Sequence, residues 1–406
     1  MRVLQVNKYV YQKGGAERVV LETGRLLASR GHEVDFWGMH CPENPRYPHE
    51  DLFAPPVDYH AKLGPMASLR AAAGILYSFE AKRRFRAMLE RVRPDVVHFH
   101  NIAHQLSPSI IHAARAAGMP TVMTLHDYKL VCASYAMLAD GRPCERCRGG
   151  RYYQCVLTGC TKGSRVKSLL STMEMYLHHR LLGVYRLVDR FISPSRFLIE
   201  KLREMGFDRP IEYLPNFTDA GEFEPSAGES GRIVYFGRLS PEKGVGALIE
   251  AVRDMSVELD LVGDGPGRAE LEARVRRYSL GHIRFWGHMN GVGLRERVAR
   301  AQFTVLPSEW YENNPLAVVE SFAMGKPVVA AAIGGIPELV RDGETGLTFA
   351  PGDVAELQAR MRFMLDHPGA CARMGKTARR LVEVDLSPDR HYHRLIEIYE
   401  RTGKGR

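Results

Sequence analysis

Residues 307–316 read PSEWYENNPL and stand between a short apolar run and the apolar segment Leu316 to Met324. This order predicts a strand, a polar loop and then a helix, as at the carboxyl edge of a parallel sheet. Asn314 is predicted to cap the helix, with Pro315 at its first position. The free N–H groups of Leu316 and Ala317 would then form an anion site that suits a phosphate.

The same alternation of apolar runs and amphipathic segments extends on both sides of this stretch. In the second half, strands are predicted at Arg232 to Phe236, Val257 to Val262, Ile283 to Trp286, Thr304 to Leu306 and Pro327 to Ala331. In the first half they are predicted at Arg2 to Val10, Glu33 to Trp37, Asp95 to His100 and Pro120 to Leu125, with helices over Ala16 to Arg30 and Ser107 to Ala117. The prediction is an α/β protein of two doubly wound, Rossmann-like domains that face a central cleft.

A polar, turn-rich segment from Pro215 to Gly231 marks the boundary between the two halves. We therefore predict an N-terminal acceptor-side domain over 1–215 and a C-terminal nucleotide-sugar-binding domain over 216–385. Residues 132–161 interrupt the alternation of predicted strands and helices in the first domain, and we interpret them as a cysteine-rich insert. Residues 386–406 are expected to form a C-terminal helix that returns to the N-terminal domain.

Composition and charge restrict the classes of protein to which this chain could belong. The chain is 45% apolar, and none of its apolar runs approaches the roughly 18 residues of a membrane span. Since the start of the sequence shows no secretory signal, we expect a cytoplasmic location. The net charge of +9 indicates an anionic partner, but no nucleic-acid-binding module is recognisable, so a nucleic acid is not expected.

Two glutamates in the opening stretch and its helix suggest what is bound. Glu312 lies in the predicted loop above the anion site, and Glu320 follows eight positions later inside the helix. From these places Glu312 could contact a sugar and Glu320 a ribose beside a bound phosphate.

The pattern resembles glycosyltransferase family 4, a family of retaining enzymes with the GT-B fold. Glu312 and Glu320 with Ala323-Met324-Gly325-Lys326-Pro327-Val328-Val329 resemble the family's E-x7-E signature. Further segments that match the family are Phe236 to Gly244, Leu261 to Pro266, Gly334 to Val340, Gly14 to Glu17 and Leu214 to Asn216. The sequence departs from the family pattern at Asn313-Asn314-Pro315, which leaves the donor's identity open.

The resemblance and the local pattern together give a set of candidate site residues. The catalytic candidates are His126, Arg238, Lys243 and Glu312. The donor-binding candidates are Gly14, Gly15, Met289, Asn314, Leu316, Ala317 and Glu320. The resemblance implies that Arg238 and Lys243 hold the diphosphate of a nucleotide-diphosphate sugar, so that catalysis needs no metal or other cofactor.

The resemblance implies transfer of a hexosyl group, with retention of configuration, to a glycan or lipid-linked glycan in bacterial cell-surface polysaccharide synthesis. A nucleotide-sugar 2-epimerase on the same fold is the alternative, and a non-catalytic sugar-nucleotide binder is a further one. Gly369 to Thr377 does not have the spacing of a P-loop, and Gly263 to Gly267 lacks that of a dinucleotide fingerprint.

Five of the seven cysteines fall between Cys132 and Cys160. In a reducing compartment such clustering favours metal coordination over disulfides, and the C-x2-C pair is a standard half-site for zinc. The predicted ligands of a structural zinc ion are Cys144, Cys147, Cys155 and Cys160. An iron–sulfur cluster, redox disulfides and unliganded thiols remain alternatives. We expect the insert to shape the acceptor entrance.

Two basic, helical stretches, Arg70 to Arg93 and Lys162 to Arg190, lie in the N-terminal half. Both could bind an anionic membrane surface, which would place the protein peripherally on the inner face of the plasma membrane. The second stretch carries an apolar stripe that could instead be a buried face. Its members are Leu169, Leu170, Met173, Tyr176 and Leu177.

Overall fold

A computed structural model describes residues 1–57 and 64–403, except for the side chains of residues 65–70. Two six-stranded parallel sheets organise these residues, and a two-stranded antiparallel hairpin accompanies them. Helices connect successive parallel strands, as crossover connections require. The architecture is the predicted α/β arrangement of two Rossmann-like domains, and the fold class is confirmed.

The N-terminal half contains eight strands. They are β1 (Arg2–Val6), β2 (Glu33–Trp37), β3 (Val96–Phe99), β4 (Thr121–Thr124), β5 (Leu138–Ala139), β6 (Arg142–Pro143), β7 (Arg190–Ser193) and β8 (Ile211–Tyr213). The N-terminal sheet has the order β2-β1-β3-β4-β7-β8, while β5 and β6 form the separate hairpin. Strands β1, β3 and β4 are apolar and almost wholly buried because helices cover both faces of the sheet.

The C-terminal half contains six strands, all parallel. They are β9 (Arg232–Phe236), β10 (Glu258–Val262), β11 (Ile283–Gly287), β12 (Phe303–Leu306), β13 (Val328–Ala331) and β14 (Gly346–Phe349). Their order in the sheet is β11-β10-β9-β12-β13-β14. The direction of winding reverses between β9 and β12, which is the classical place for a ligand in a doubly wound sheet.

Fifteen α-helices complete the described chain. They are α1 (Gly15–Ser29), α2 (Pro65–Leu76), α3 (Phe79–Val92), α4 (Ser109–Ala116), α5 (Gln154–Thr158), α6 (Arg165–Tyr176), α7 (Arg196–Glu204), α8 (Val245–Ala251), α9 (Arg268–Arg277), α10 (Gly291–Arg300), α11 (Leu316–Ala323), α12 (Ile336–Leu339), α13 (Val354–Asp366), α14 (Pro368–Val384) and α15 (Pro388–Gly403). Within the described residues, none of these helices has both the length and the apolar character of a membrane span.

The C-terminal helix α15 packs on the N-terminal sheet. Leu395 and Ile398 share an apolar cluster with Val3 of β1. Beneath it, the hydroxyl of Tyr399 lies 2.7 Å from Nδ1 of the buried His98. The last helix therefore ties the end of the chain to its first domain.

The sequence predictions missed or misplaced several elements. Strand β1 ends at Val6 instead of Val10, because the chain turns out of the sheet at Asn7. Strands β7, β8 and β14 were not predicted. They have three or four residues each, and a charged residue in β7 and β8 or a glycine at the start of β14 interrupts the short apolar run.

Candidate active site

The loops after β9 and β12 meet where the winding of the C-terminal sheet reverses. The loop after β9 carries Arg238 and Lys243, and the loop after β12 carries Glu312. The structure thus brings these three candidate catalytic residues to one edge of one sheet, which is where open α/β sheets bind ligands.

Glu312 is a buried carboxylate held by two neighbours. Its Oε1 accepts a hydrogen bond from Lys243 Nζ at 2.6 Å and another from Ser308 Oγ at 2.5 Å. Burial by itself would raise the pKa of Glu312, but the charge and hydrogen bond of Lys243 outweigh it and leave the pKa lowered. Glu312 is therefore ionised at neutral pH and fixed in direction.

Arg238 is exposed. No residue within 1–57 and 64–403 forms a hydrogen bond or ion pair with its guanidinium. Lys243, five positions further along, is tethered to Glu312 and lies 5.1 Å from the centre of the Trp310 ring. Within the described part of the chain, the site thus offers one cation without an anionic partner and one that is already positioned.

Two glycines hold the loop that contains Glu312. A Cβ on Gly334 would lie 2.2 Å from the Glu312 carbonyl oxygen, and one on Gly335 would lie 1.9 Å from that of Asn313. Gly334 also has φ +64°, which favours glycine. Gly334 and Gly335 belong to one of the segments that match the family, and close backbone packing against this loop explains why both are glycine. The N–H of Gly335 donates a hydrogen bond to the Glu312 carbonyl oxygen at 2.7 Å.

The predicted cap of α11 is wrong. The helix begins at Leu316 with Pro315 in the cap position, and no side chain caps it. Asn314 is buried, and neither its Oδ1 nor its Nδ2 has a hydrogen-bond partner among the described residues. Pro315 at the cap is extended, with φ −69° and ψ 118°, so Asn314 lies one residue too early to cap the N–H groups of Leu316 and Ala317.

Gly15 lies opposite the start of α11. Helix α1 begins at Gly15, and a Cβ added there would lie 3.7 Å from Leu316 Cδ1. The N-terminal ends of α1 and α11, one from each half of the protein, therefore face each other. Gly14 precedes α1 in an extended conformation, φ −161°, and a Cβ there would meet Glu17 at 3.3 Å.

Glu320 is paired with a residue that the sequence analysis did not include. Arg18 of α1 reaches across the cleft and forms an ion pair with Glu320 of α11. Burial raises the pKa of Glu320, and the Arg18 charge opposes that rise. The only sequence feature that could have drawn attention to Arg18 is its position directly after Gly14 to Glu17, a segment that matches the family. That position does not indicate a partner 302 positions away.

His126 follows β4 and belongs to a buried chain of hydrogen bonds. Its Nε2 lies 2.9 Å from Nδ1 of His100, whose Nε2 lies 2.8 Å from Gln5 Oε1. Because Gln5 Oε1 can only accept, His100 carries its proton on Nε2 and His126 donates from Nε2. Burial lowers the pKa of His126 to about 4, so the ring is neutral at pH 7, with Nδ1 unprotonated.

Met289 follows β11 at the edge of the C-terminal sheet and is half-buried. Its side chain packs against the apolar cluster beneath α11. The structure thus places Met289 two strands away from Arg238, at the same carboxyl edge of the sheet.

Asn313 and Tyr311 fasten the Glu312 loop to the N-terminal half. Nδ2 of Asn313 donates to the carbonyl of Leu125, next to His126, at 3.1 Å, and its Oδ1 accepts from Ser195 Oγ at 2.6 Å. The hydroxyl of Tyr311 donates to Glu145 of the cysteine-rich insert at 2.8 Å. Residues on both sides of Glu312 therefore fix the position of the two halves relative to each other.

The four predicted zinc ligands lie together. Cys144, Cys147, Cys155 and Cys160 line one small cavity, and Cys132, which the prediction omitted, lines it too. Among the residues that the structure describes, no three His, Cys, Asp or Glu side chains are already arranged to hold a metal ion. The zinc assignment stays a prediction.

Several arginines of the first basic stretch, Arg70 to Arg93, form ion pairs within their own helix. In α3, Arg83 and Arg84 are paired with Glu80 and Arg86 with Glu90. The side chain of Arg70 lies outside the described residues.

Helix α6 exposes three of its apolar residues, while Met175 is buried and Leu170 and Tyr176 are partly buried. Val166, Leu169 and Met173 are 80%, 50% and 49% exposed and lie on one face, so a buried stripe is the wrong interpretation for Leu169 and Met173. The inner face is mostly polar: it buries Ser168, Ser171, Thr172 and Glu174 along with Met175, and Glu174 forms an ion pair with Lys129 at 2.7 Å.

Two family models match the chain. The model described as Glycosyltransferase Family 4 matches residues 13–222, and the model described as Glycosyl transferases group 1 matches residues 218–381. The two matches meet within the linker that joins the two sheets.

Two curated relatives illustrate the range of similar proteins. A glycogen synthase of Mycobacterium tuberculosis is 30% identical over 329 residues, which cover 77% of this chain and 70% of the relative. A GDP-mannose-dependent alpha-mannosyltransferase of the same species is 28% identical over 271 residues, covering 64% of this chain and 61% of the relative.

Solved structures share the fold over the whole chain. Sucrose-phosphate synthase from Thermosynechococcus elongatus superposes with a TM-score of 0.74 at 19% identity, covering 100% of both chains. Anabaena Alr3699/HepE in complex with UDP and glucose gives a TM-score of 0.68 at 17% identity, covering 98% of this chain and 99% of the other. At this identity the likeness establishes the GT-B fold only.

Proposed function

This chain is a member of glycosyltransferase family 4, and from that premise we propose that it is a retaining hexosyltransferase. Its donor is a nucleotide-diphosphate sugar, and its acceptor is a lipid-linked glycan that grows at a bacterial membrane in cell-surface polysaccharide synthesis. The observation that carries the proposal is the set of Arg238, Lys243 and Glu312 at the switch point of the C-terminal sheet.

The two cations suit the departure of a nucleoside diphosphate. As the glycosidic bond breaks, negative charge grows on the leaving phosphate, and fixed positive groups stabilise that charge more in the transition state than in the ground state. Lys243 is held at 2.6 Å from Glu312, and Arg238 has no competing anionic partner in the described part of the chain. In this proposal they supply the positive charge themselves, so the transfer step does not depend on a metal.

Glu312 and His126 would position the sugar. Glu312 is a buried, ionised acceptor for sugar hydroxyl groups, and the unprotonated Nδ1 of His126 is a second acceptor from the other half of the protein. The backbone of Met289 would meet the base, and Gly14 and Gly15 would allow the phosphates to approach closely. Retention follows the mechanism favoured for the family, in which the acceptor hydroxyl attacks from the leaving-group face and a donor phosphate oxygen takes its proton. The protein then contributes positioning and charge.

The outer face of α6 supports a membrane-bound acceptor. Val166, Leu169 and Met173 form an exposed apolar stripe, and Arg165 and Lys167 flank it on the same helix. The one acidic residue of α6, Glu174, is buried and neutralised by Lys129. An exposed apolar face with cationic borders is the composition that binds anionic lipid surfaces. This interaction would hold the protein at the inner face of the plasma membrane, beside its acceptor.

A screen of sugar donors tests the proposed function. The purified protein is incubated with UDP-, GDP-, dTDP- and ADP-linked hexoses, and free nucleotide and free sugar are quantified with and without a lipid extract as acceptor. We expect slow hydrolysis of one donor class, accelerated by the extract, with the released or transferred sugar retaining its anomeric configuration. Conversion of the donor sugar to its 2-epimer without transfer would establish the epimerase instead.

A further inference from the structure

Five thiols converge on a cavity outside the donor site. Cys132 comes from the segment after β4, Cys144 and Cys147 follow the β5–β6 hairpin, and Cys155 and Cys160 lie in and after α5. All five are free thiols, and three of them are buried. Among the residues that the structure describes, no His, Asp or Glu side chain lines this cavity, so its candidate metal ligands are sulfurs, which thiophilic metals prefer.

One pair of thiols stands apart from the other three. The Sγ atoms of Cys155 and Cys160 are 3.0 Å apart. Sulfurs about 2.3 Å from a tetrahedral metal lie about 3.8 Å from one another, so these two sulfurs are too close to be ligands together in their present positions. One thiol of this pair, together with Cys132, Cys144 and Cys147, supplies the four ligands that a tetrahedral site requires. Since the described side chains do not yet point to one centre, rotation about their Cα–Cβ bonds has to complete the site.

The insert has little regular secondary structure. Between Cys132 and Cys160 it contains only two strands of two residues and the five-residue helix α5 among its regular elements, apart from a short 3-10 turn. Tyr135 and Met137 have φ of 59° and 48°, a conformation that is costly for bulky residues and persists only where the surroundings impose it. Small loop-rich modules of this kind are commonly stabilised by a structural metal.

We propose that Cys132, Cys144, Cys147 and one thiol of the Cys155/Cys160 pair bind a single divalent metal ion of the zinc class as a structural site. Each thiol that binds the metal releases its proton and ligates as a thiolate. Cys132 is the ligand that the C-x2-C spacing does not reveal, because it lies twelve positions before Cys144.

The metal site would also position a contact to the Glu312 loop. Glu145 lies between Cys144 and Cys147, and its carboxylate accepts hydrogen bonds from the Tyr311 hydroxyl at 2.8 Å and from Lys201 Nζ at 2.9 Å. Tyr311 directly precedes Glu312. Metal binding therefore fixes the Glu145 end of a contact that holds the Glu312 loop. This consequence rests on the proposed function, whereas metal binding itself does not.

Metal analysis of the whole protein tests the site. Protein purified without chelators or metal-affinity resin is analysed by elemental mass spectrometry, and chelator-treated, reduced protein is titrated with Co²⁺. We expect about one equivalent of zinc per chain and, with Co²⁺, the thiolate charge-transfer and d–d bands of a tetrahedral sulfur site. Absence of zinc together with absence of these bands would overturn the proposal, as would a Cys155–Cys160 disulfide in metal-free native protein.

Serine variants identify the ligands. We expect Cys132→Ser, Cys144→Ser and Cys147→Ser each to lose the metal, whereas Cys155→Ser and Cys160→Ser each keep it and the double variant loses it. Cys371→Ser, in the C-terminal half, is the matched control. Full metal retention by Cys132→Ser would contradict the assignment. Where a variant does not fold, chelation of the wild-type protein gives the second measurement: its Tm should fall and recover when Zn²⁺ is restored.

A separate variant tests whether the contact between Glu145 and Tyr311 supports donor binding. Tyr311→Phe should retain one equivalent of metal and bind the donor several-fold more weakly, because only the hydrogen bond to Glu145 is removed. Wild-type donor affinity in Tyr311→Phe would refute the coupling, and metal analysis of the same preparation would show whether the metal site stands without it.

Discussion

Arg18 and Glu320 form an ion pair that joins α1 of the N-terminal half to α11 of the C-terminal half across the cleft. The family resemblance assigns the same carboxylate to the ribose of the donor. Donor binding must then exchange the guanidinium of Arg18 for ribose hydroxyl groups. Burial raises the pKa of Glu320, and the charge and hydrogen bond of Arg18 oppose that rise, so either partner would favour the ionised carboxylate.

Replacement of Glu320 by Gln should weaken donor binding more than catalysis. The ribose is remote from the reacting bond, so the carboxylate contributes equally to the ground and transition states, and its loss raises KM. A hydrogen bond to a charged group contributes about 1.5–3 kcal/mol, which corresponds to a rise in donor KM of about 10- to 100-fold with kcat nearly unchanged. Steady-state kinetics check this, with Glu22→Gln on α1 as the control. An unchanged KM would remove Glu320 from the donor site.

Replacement of Asn314 by Ala should separate binding from stability. The buried Asn314 side chain has no hydrogen-bond partner in the described part of the protein, so its removal breaks no side-chain hydrogen bond in the free enzyme. We expect a change in unfolding free energy below about 0.5 kcal/mol and a loss of donor affinity of about 5- to 20-fold. The comparison variant is Asn216→Ala, which removes a 2.8 Å hydrogen bond to the Asn314 carbonyl and should cost about 1–2 kcal/mol. Equal destabilisation by both variants, with normal donor binding in Asn314→Ala, would disprove the assignment.

The strands of the second half were largely predictable because most of their residues are apolar and buried. Predicted Arg232 to Phe236 agrees with β9 to the residue, and the other four strands that were predicted there differ by at most one residue at either end. Gly346–Phe349 escaped prediction because it begins with glycine, a residue that is unfavourable in strands. Strand order could only be guessed, since it depends on contacts between distant segments.

The candidate site was predictable only where its residues follow one another in the chain. Lys243 and Glu312 were both named, but the 2.6 Å bond between them spans 69 positions. Arg18 was missed because its partner is far away in sequence, and Asn314 was wrongly made a helix cap because a one-residue shift in the start of α11 alters what its side chain can reach. Similarly, the amphipathic pattern of α6 gave no indication that its apolar face points outward, since the buried contacts on the other face, among them the Lys129–Glu174 pair, come from distant segments.

The pH dependence of stability should reveal His391. Burial lowers its pKa from 6.5 to about 4, opposed in part by the hydrogen bond to the Pro215 carbonyl. Between these pH values the unfolded chain binds more protons than the folded one, so stability falls as pH drops below 6.5. His391 alone should cost roughly 2–3 kcal/mol between pH 7 and pH 4.5. Urea unfolding at both pH values should show a smaller loss for His391→Gln by about this amount, and identical losses would contradict the prediction.

The apolar stripe of α6 should govern membrane binding. The double variant Leu169→Glu/Met173→Glu places two negative charges on the exposed face and should reduce binding to vesicles rich in anionic phospholipid at least about tenfold. Phe363→Glu/Val384→Glu changes two exposed apolar residues of α13 and α14 and serves as the matched control. Co-sedimentation at several salt concentrations measures the effect. Absence of wild-type binding at every salt concentration, or undiminished binding by the α6 variant, would refute membrane docking through this helix.

Direct binding of nucleoside diphosphates tests the donor site most sharply. Isothermal titration calorimetry with UDP, GDP, dTDP and ADP is performed on the wild type, on Arg238→Ala/Lys243→Ala and on the control Lys376→Ala, an exposed residue of α14. We predict that one diphosphate binds the wild type and the control equally, and that the double variant binds it at least about 100-fold more weakly, because two charge-assisted contacts are lost. Equal affinity in the double variant, or no binding of any of the four by the wild type, would contradict the assignment of Arg238 and Lys243 to the donor diphosphate.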